Sequence, residues 1–114
     1  AEFFLRFRDR AAAQGITLPI IPGILPVQNW TATQAIAGSC CTSIAPDLAE
    51  GFARAEREGR AEMMAIAQAS ELCDSLIQNG VEHLHFYTMN KAEVVSAICT
   101  ALGKAPQQSL RRVA

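Results

Sequence analysis

Residues 2–14 carry Phe3, Phe4, Phe7 and Ala11 on one side of a helical projection and Arg6, Arg8, Asp9 and Arg10 mostly on the other. That pattern predicts an amphipathic helix, and Gly15 follows where a helix end takes a residue free to adopt positive φ. Over residues 18–27 the polar positions disappear. An unalternating run of branched residues suits a strand buried on both faces, as in a parallel sheet. Pro19 can open that strand, and Pro22-Gly23 can end it or form a bulge, so Pro22-Gly23-Ile24 falls at its carboxyl end.

Asn29 is placed to N-cap a helix over residues 30–38, and residues 41–45 read as a short candidate strand. Pro46 suits the first turn of a helix reaching residue 57, with Asp47 and Glu50 near its positive end and Gly59 after it. Residues 60–78 form the longest helical stretch. Its apolar stripe is Met63, Met64, Ile66, Ala67, Cys73, Leu76 and Ile77, and Asn79-Gly80 ends it. Residues 81–89 read as a strand from their β-branched and aromatic content. Asn90 then caps a helix over 91–102, closed by Gly103, and residues 104–114 read as a frayed or linker-like tail.

Strands alternating with helical connections of ten residues or more predict parallel βαβ units and an α/β class. A (β/α)8 TIM barrel spends roughly 30 residues per unit, so this length corresponds to three to four units of one, or to a small open α/β domain. Three strands cannot close a barrel. Cutting one exposes long apolar edges, so these residues by themselves are expected to aggregate, swap into a dimer or stay molten.

Composition narrows the function. The chain has 114 residues with 10 basic and 11 acidic side chains, and a net charge of −1 gives no footprint for nucleic acid or an anionic membrane. No apolar run approaches the roughly 20 residues that span a bilayer. The start, Ala1-Glu2-Phe3-Phe4, lacks an initiator Met and a signal-peptide core, and reads as the middle of something. Cys40, Cys41, Cys73 and Cys99 lie in apolar segments without ladder-like spacing, which predicts buried or partly buried free thiols of a cytoplasmic protein.

Candidate chemistry is sparse. His83 and His85 lie two apart on the predicted strand and point to one face. They could open a metal site, but the chain has only these two His, and a hydrogen-bonded pair in a barrel interior is the plainer reading. Adjacent Cys40-Cys41 is a poor zinc chelate, so no metal ligands are assigned. No glycine-rich phosphate loop and no nucleophile elbow occurs. The charge-alternating residues 50–62 read as a solvated face, and the Met63-Met64 pair reads as core. The two informative segments, residues 22–27 and residues 84–91, lie just past predicted strands, where a barrel builds its active site. The second holds Tyr87 with an aromatic face and a hydroxyl, Asn90 with an amide, and Lys91, a cation at a helix start where the dipole disfavours it.

Pro19-Ile20-Ile21-Pro22-Gly23-Ile24-Leu25-Pro26-Val27 with Asn29-Trp30 resembles the signature of the methylenetetrahydrofolate reductase family. His85-Phe86-Tyr87-Thr88-Met89-Asn90-Lys91 is similar to a second family motif, and Ile44-Ala45-Pro46, Leu48-Ala49-Glu50-Gly51-Phe52 and Phe4-Leu5-Arg6-Phe7-Arg8-Asp9-Arg10 add to the likeness, which covers about residues 2–103. The resemblance implies a flavin-dependent (β/α)8 barrel that reduces 5,10-methylenetetrahydrofolate to 5-methyltetrahydrofolate. NAD(P)H reduces FAD and leaves, and folate then takes the same face of the flavin. This chain would be the carboxyl-terminal part of that barrel, from the helix after the fifth strand onward. It would need the rest of the barrel and commonly form a homo-oligomer.

By the same resemblance, the catalytic and FAD-binding residues lie outside this segment, and its own contribution is folate contacts from Lys91, Tyr87 and Met89. Lys91 stands where the family has an arginine, keeping the charge without the planar fork. Ala32 and Ile36 stand where bacterial members have a glutamine and a phenylalanine. Losing both contacts is expected to weaken binding by about 1–3 kcal/mol. The competing expectations are a degenerate half-barrel that binds folate or supports another chain without turnover, and a free-standing α/β domain with a His83-His85 metal site.

Overall fold

A computed structural model describes residues 1–104. The part of the predicted tail beyond Lys104 lies outside the described residues. The elements, in chain order, are α1 (Glu2–Ala13), β1 (Gly23–Ile24), α2 (Trp30–Ser39), α3 (Pro46–Arg57), α4 (Ala61–Gln78), β2 (His85–Phe86) and α5 (Ala92–Ala101). The two strands pair in parallel, Gly23 with His85 and Ile24 with Phe86. This is one βαβ crossover carried by three helices, with α1 before it and α5 after it.

The expected three to four βα units therefore reduce to two strands among the described residues. The missing candidate is residues 41–45. Instead of a strand, Cys41 closes α2: its N–H donates to the Gly38 carbonyl at 3.2 Å, and the Thr42 N–H donates to the Ala37 carbonyl at 2.9 Å. This is a Schellman helix end, and Cys41 occupies its left-handed position at φ 52°.

The paired strands are also shorter than the apolar runs that contain them. Pro22-Gly23 is expected to end the first strand or form a bulge; in the structure Pro22 precedes the paired residues Gly23 and Ile24. It has no N–H to donate, but its carbonyl accepts the His85 N–H at 3.1 Å. Burial alternates along this segment. Pro22, Ile24 and Pro26 are buried, while Ile21, Gly23 and Leu25 are exposed, so only one face of the strand is covered. The expected double burial is not met, because all the helices that pack on Ile24 and Phe86 lie on one side.

Two apolar clusters make the core. The first gathers Ile24 with Ala69, Cys73 and Leu76 of α4 and Val94 and Ile98 of α5, with Phe4 and Leu5 of α1 packed against it. The second joins Val27, Trp30, Phe52 and Ala65, and the Trp30 and Phe52 rings stack at 5.4 Å. The buried line of α4 is Ala65, Ala69, Cys73 and Leu76. Small residues at four-residue spacing let the neighbouring helices approach closely. Of the predicted stripe, Cys73 and Leu76 are buried and Met64 and Ile66 pack at the margin, whereas Met63, Ala67 and Ile77 are exposed.

In α1 the predicted apolar side splits. Ala11 is buried and Phe4 half-buried, but Phe3 and Phe7 stay exposed, because no described element lies over them. Arg8 fastens this helix to the end of α4 by donating from Nη1 to the Asn79 carbonyl at 2.7 Å. The charged stretch is solvated as expected. Its Arg60 guanidinium hydrogen-bonds the Glu58 carboxylate and, with Arg54 and Arg57 nearby, holds that carboxyl below its usual range.

The four cysteines are free, but only Cys73 is buried; Cys99 is half-buried and Cys40 and Cys41 are exposed at the α2 turn. Burial pushes the Cys73 thiol pKa up, with Cys99 adding to the effect. Alkylation followed by peptide mass mapping should label Cys40 and Cys41 first and Cys73 last, and early labelling of Cys73 would contradict this packing. Phe52 is fully buried whereas Phe3 is 86% exposed. Phe52→Ala should therefore cost about 3–5 kcal/mol and Phe3→Ala under about 1 kcal/mol in the same unfolding measurement.

Candidate functional site

Parallel pairing places the carboxyl ends of β1 and β2 side by side, although they lie 62 positions apart in sequence. Beyond β1 the chain runs through Leu25 to Asn29 into α2. The Asn29 side chain accepts the Ala32 N–H at 2.8 Å, the N-cap that the sequence predicts. Beyond β2 it runs through Tyr87 to Lys91 into α5. The two segments are joined directly: the Tyr87 N–H donates to the Ile24 carbonyl at 2.9 Å, and Gln28 Nε2 donates to the Thr88 carbonyl at 3.3 Å.

The second segment makes a tight turn. Met89 and Asn90 have φ of 50° and 61°, and the Lys91 N–H donates to the Thr88 carbonyl at 2.9 Å. Two successive left-handed residues inside such a bond are the mark of a type I′ turn. Asn90 tolerates that conformation; Met89 bears a cost of about 1–2 kcal/mol. The turn also revises the expected cap. Asn90 is held in the turn, so α5 starts one residue later and Lys91 is its N-cap, with no side-chain capping bond.

Between these loops and α2 lies a cleft of about 140 Å³. Leu25, Pro26, Ala32, Ile36 and Met89 give it apolar walls, and Gln28, Asn29, Thr33 and Lys91 complete the lining. Three of the polar residues already serve the local structure. Gln28 spans to Thr88, Asn29 caps α2, and the Thr33 hydroxyl donates to the Asn29 carbonyl at 2.9 Å. The Lys91 ammonium makes no ion pair among the described residues. No carboxylate, imidazole or thiol lines the cleft. It is therefore suited to hold a flat or apolar body with an anionic group at its rim, and it offers no acid–base or nucleophilic pair.

Of the three predicted contact residues, the cleft thus brings together Met89 and Lys91, and adds Ala32 and Ile36 from 53 or more positions away. Tyr87 lies next to it on the uncovered face of the strand pair, half-exposed, with its ring edge-on to His85 at 5.0 Å. His83 and His85 are exposed rather than enclosed. Among the described residues no three His, Cys, Asp or Glu side chains gather as a metal site. Leu25 falls in the first of the two informative segments, whereas Gln28 and Thr33 were not singled out from the sequence. Their position just past a strand end was the available signal; the Gln28–Thr88 bridge was not visible. A larger hollow of about 270 Å³ lies between α3 and α4, beside Arg54, Glu58 and Arg60, away from the strand ends. No helix among the described residues is long and apolar enough to cross a membrane.

The family model for methylenetetrahydrofolate reductase matches residues 1–103. The chain is 38% identical over 106 residues to the 5,10-methylenetetrahydrofolate reductase of Escherichia coli, covering 92% of this chain and 36% of that relative. The Pectobacterium carotovorum protein of the same name is equally similar over the same span. Methylenetetrahydrofolate reductase (NADH) 1 of Arabidopsis thaliana is 30% identical over 112 residues, 97% of this chain and 19% of the plant protein. The chain thus spans about a third of the bacterial relatives and a fifth of the plant one. With nearly all its described residues inside that match, it belongs to the methylenetetrahydrofolate reductase family.

Proposed function

We propose that this chain is part of the catalytic (β/α)8 barrel of an oxidoreductase that converts 5,10-methylenetetrahydrofolate to 5-methyltetrahydrofolate with FAD and NAD(P)H. The carrying observation is the cleft. It gathers Ala32, Ile36, Met89 and Lys91, four positions that the family resemblance relates to folate, at the carboxyl ends of two parallel strands. In this reading Lys91 pairs with a carboxylate of the folate, and Leu25, Ile36 and Met89 flank its apolar body. Tyr87 closes the adjoining strand face.

The residues described do not fit a flavin dinucleotide. The cleft is about 140 Å³, below the roughly 300–1,000 Å³ of pockets for drug-sized ligands, and Lys91 is the one cation lining it. Flavin and nicotinamide binding are assigned to the rest of the barrel, and this chain's residues act on folate by binding and orientation.

Ala32, Ile36 and Lys91 also favour a second reading, a divergent barrel that binds folate weakly or structurally and no longer turns over. The cleft has no aromatic wall, and its polar groups other than Lys91 already serve the local structure. The protein expressed from its whole natural reading frame separates the two. Visible flavin absorbance that bleaches with NAD(P)H and returns on adding methylenetetrahydrofolate supports the reductase; bound flavin that folate never reoxidises supports the second reading. In an active protein, Lys91→Ala should raise KM for folate about 5- to 30-fold, the equivalent of about 1–2 kcal/mol for an exposed charge-assisted contact, with kcat nearly unchanged. Lys91→Arg should retain or lower KM. An unchanged KM in Lys91→Ala would remove Lys91 from the site.

A further inference from the structure

The uncovered face of the strand pair is organised around an absent side chain. Gly23 pairs with His85, and Tyr87 lies two residues further along the same face of β2. The Tyr87 ring folds back across Gly23. A Cβ built on Gly23 would lie 2.6 Å from Tyr87 Cε2, 3.2 Å from its hydroxyl oxygen and 3.3 Å from Cζ. No side chain fits under the ring. On its other side the ring meets His85 edge-on, at an interplanar angle of 78°. The ring is thus held by β1 below and by His85 beside it, while half of its surface stays exposed.

Glycine inside a strand is otherwise unfavourable, because it loses more conformational freedom than alanine and packs nothing. Gly23 does not adopt a left-handed conformation, so the backbone does not require it. What requires it is the space that the ring fills.

We propose that Gly23 is a positioning residue: by leaving out a side chain it sets the Tyr87 ring across β1, beside the cleft that holds Lys91. Its part in folate binding rests on the reductase reading above; the ring placement does not. Any larger residue at position 23 lifts the ring toward the space over the strand ends, where a bound ligand would lie. Tyr87 is the group that meets the ligand, and Gly23 acts through it.

A double-mutant cycle on the protein expressed from its whole natural reading frame tests this, with Gly23→Ala, Tyr87→Ala and the double variant. Thermal unfolding needs no substrate. Gly23→Ala should lower the melting temperature or leave it unchanged when Tyr87 is present, and raise it in the Tyr87→Ala background, where alanine improves the strand. Equal shifts in both backgrounds would overturn the proposal, since the ring would not lie on Gly23. In turnover, Gly23→Ala should raise KM for methylenetetrahydrofolate about 3- to 10-fold with kcat nearly unchanged, and should add nothing once Tyr87 is Ala. A stability cycle of the expected sign with an unmoved KM would also overturn it, leaving a packing contact only. Absence of folate turnover in the unsubstituted protein would instead sink the reductase reading and the folate role with it. That failure is told apart because the melting-temperature cycle is read independently.

Discussion

A ladder of two residue pairs holds the described chain in its arrangement. Gly23 and Ile24 meet His85 and Phe86 in parallel, through the Pro22 and Ile24 carbonyls and the His85 and Tyr87 N–H groups. Parallel strands cannot be joined by a tight turn, so α2, α3 and α4 are all spent on the crossover. The same pairing brings two loops, remote in sequence, to one end of the strands. Without it Gln28 would not reach Thr88, and the cleft would have one wall. The prolines keep the ladder short, since Pro22 and Pro26 have no N–H to extend it on their own strand.

The ladder also divides the molecule into a covered and an uncovered side. Ile24, Leu84 and Phe86 pack toward α4, α5 and α1, whereas Ile21, Gly23, Leu25, His85 and Tyr87 lie outside that cluster and are exposed. Phe3 and Phe7 add a further apolar surface on α1. In the barrel reading, the uncovered strand face is the interior and the outer surface of α1 meets a neighbouring unit. That reading accounts for so much exposed apolar area in a chain whose own core is two modest clusters.

At the strand ends, local strain and the candidate chemistry coincide. Met89 and Asn90 both take left-handed conformations, and the turn they form carries Lys91 to the start of α5. A cation at that helix end opposes the dipole, and no acidic side chain pairs with it among the described residues. Ala32 and Ile36 give the opposite wall bulk without polarity or aromatic faces. Such a cleft is suited to an anion by charge and to an apolar body by contact.

The sequence by itself determined the helices, because their caps and periodicities are local. Asn29 before Trp30, Pro46 at the first turn of α3 and Gly15, Gly59, Gly80 and Gly103 after helix ends act within a few residues of where they stand. The family was legible too, since its motifs are contiguous, and so were Tyr87, Met89 and Lys91 as candidates. Only the tertiary structure decided which residues of the apolar runs are paired, because an apolar run does not say which of its residues find a partner strand. It decided as well that 41–45 closes a helix, that α4 buries Ala65 and Ala69 rather than Met63 and Ile77, and that Asn90 serves a turn instead of a cap. Each of these depends on what lies opposite. The emptiness of Gly23 is the sharpest case: its meaning comes from the Tyr87 ring, 64 positions along the chain, and no local pattern carries that information.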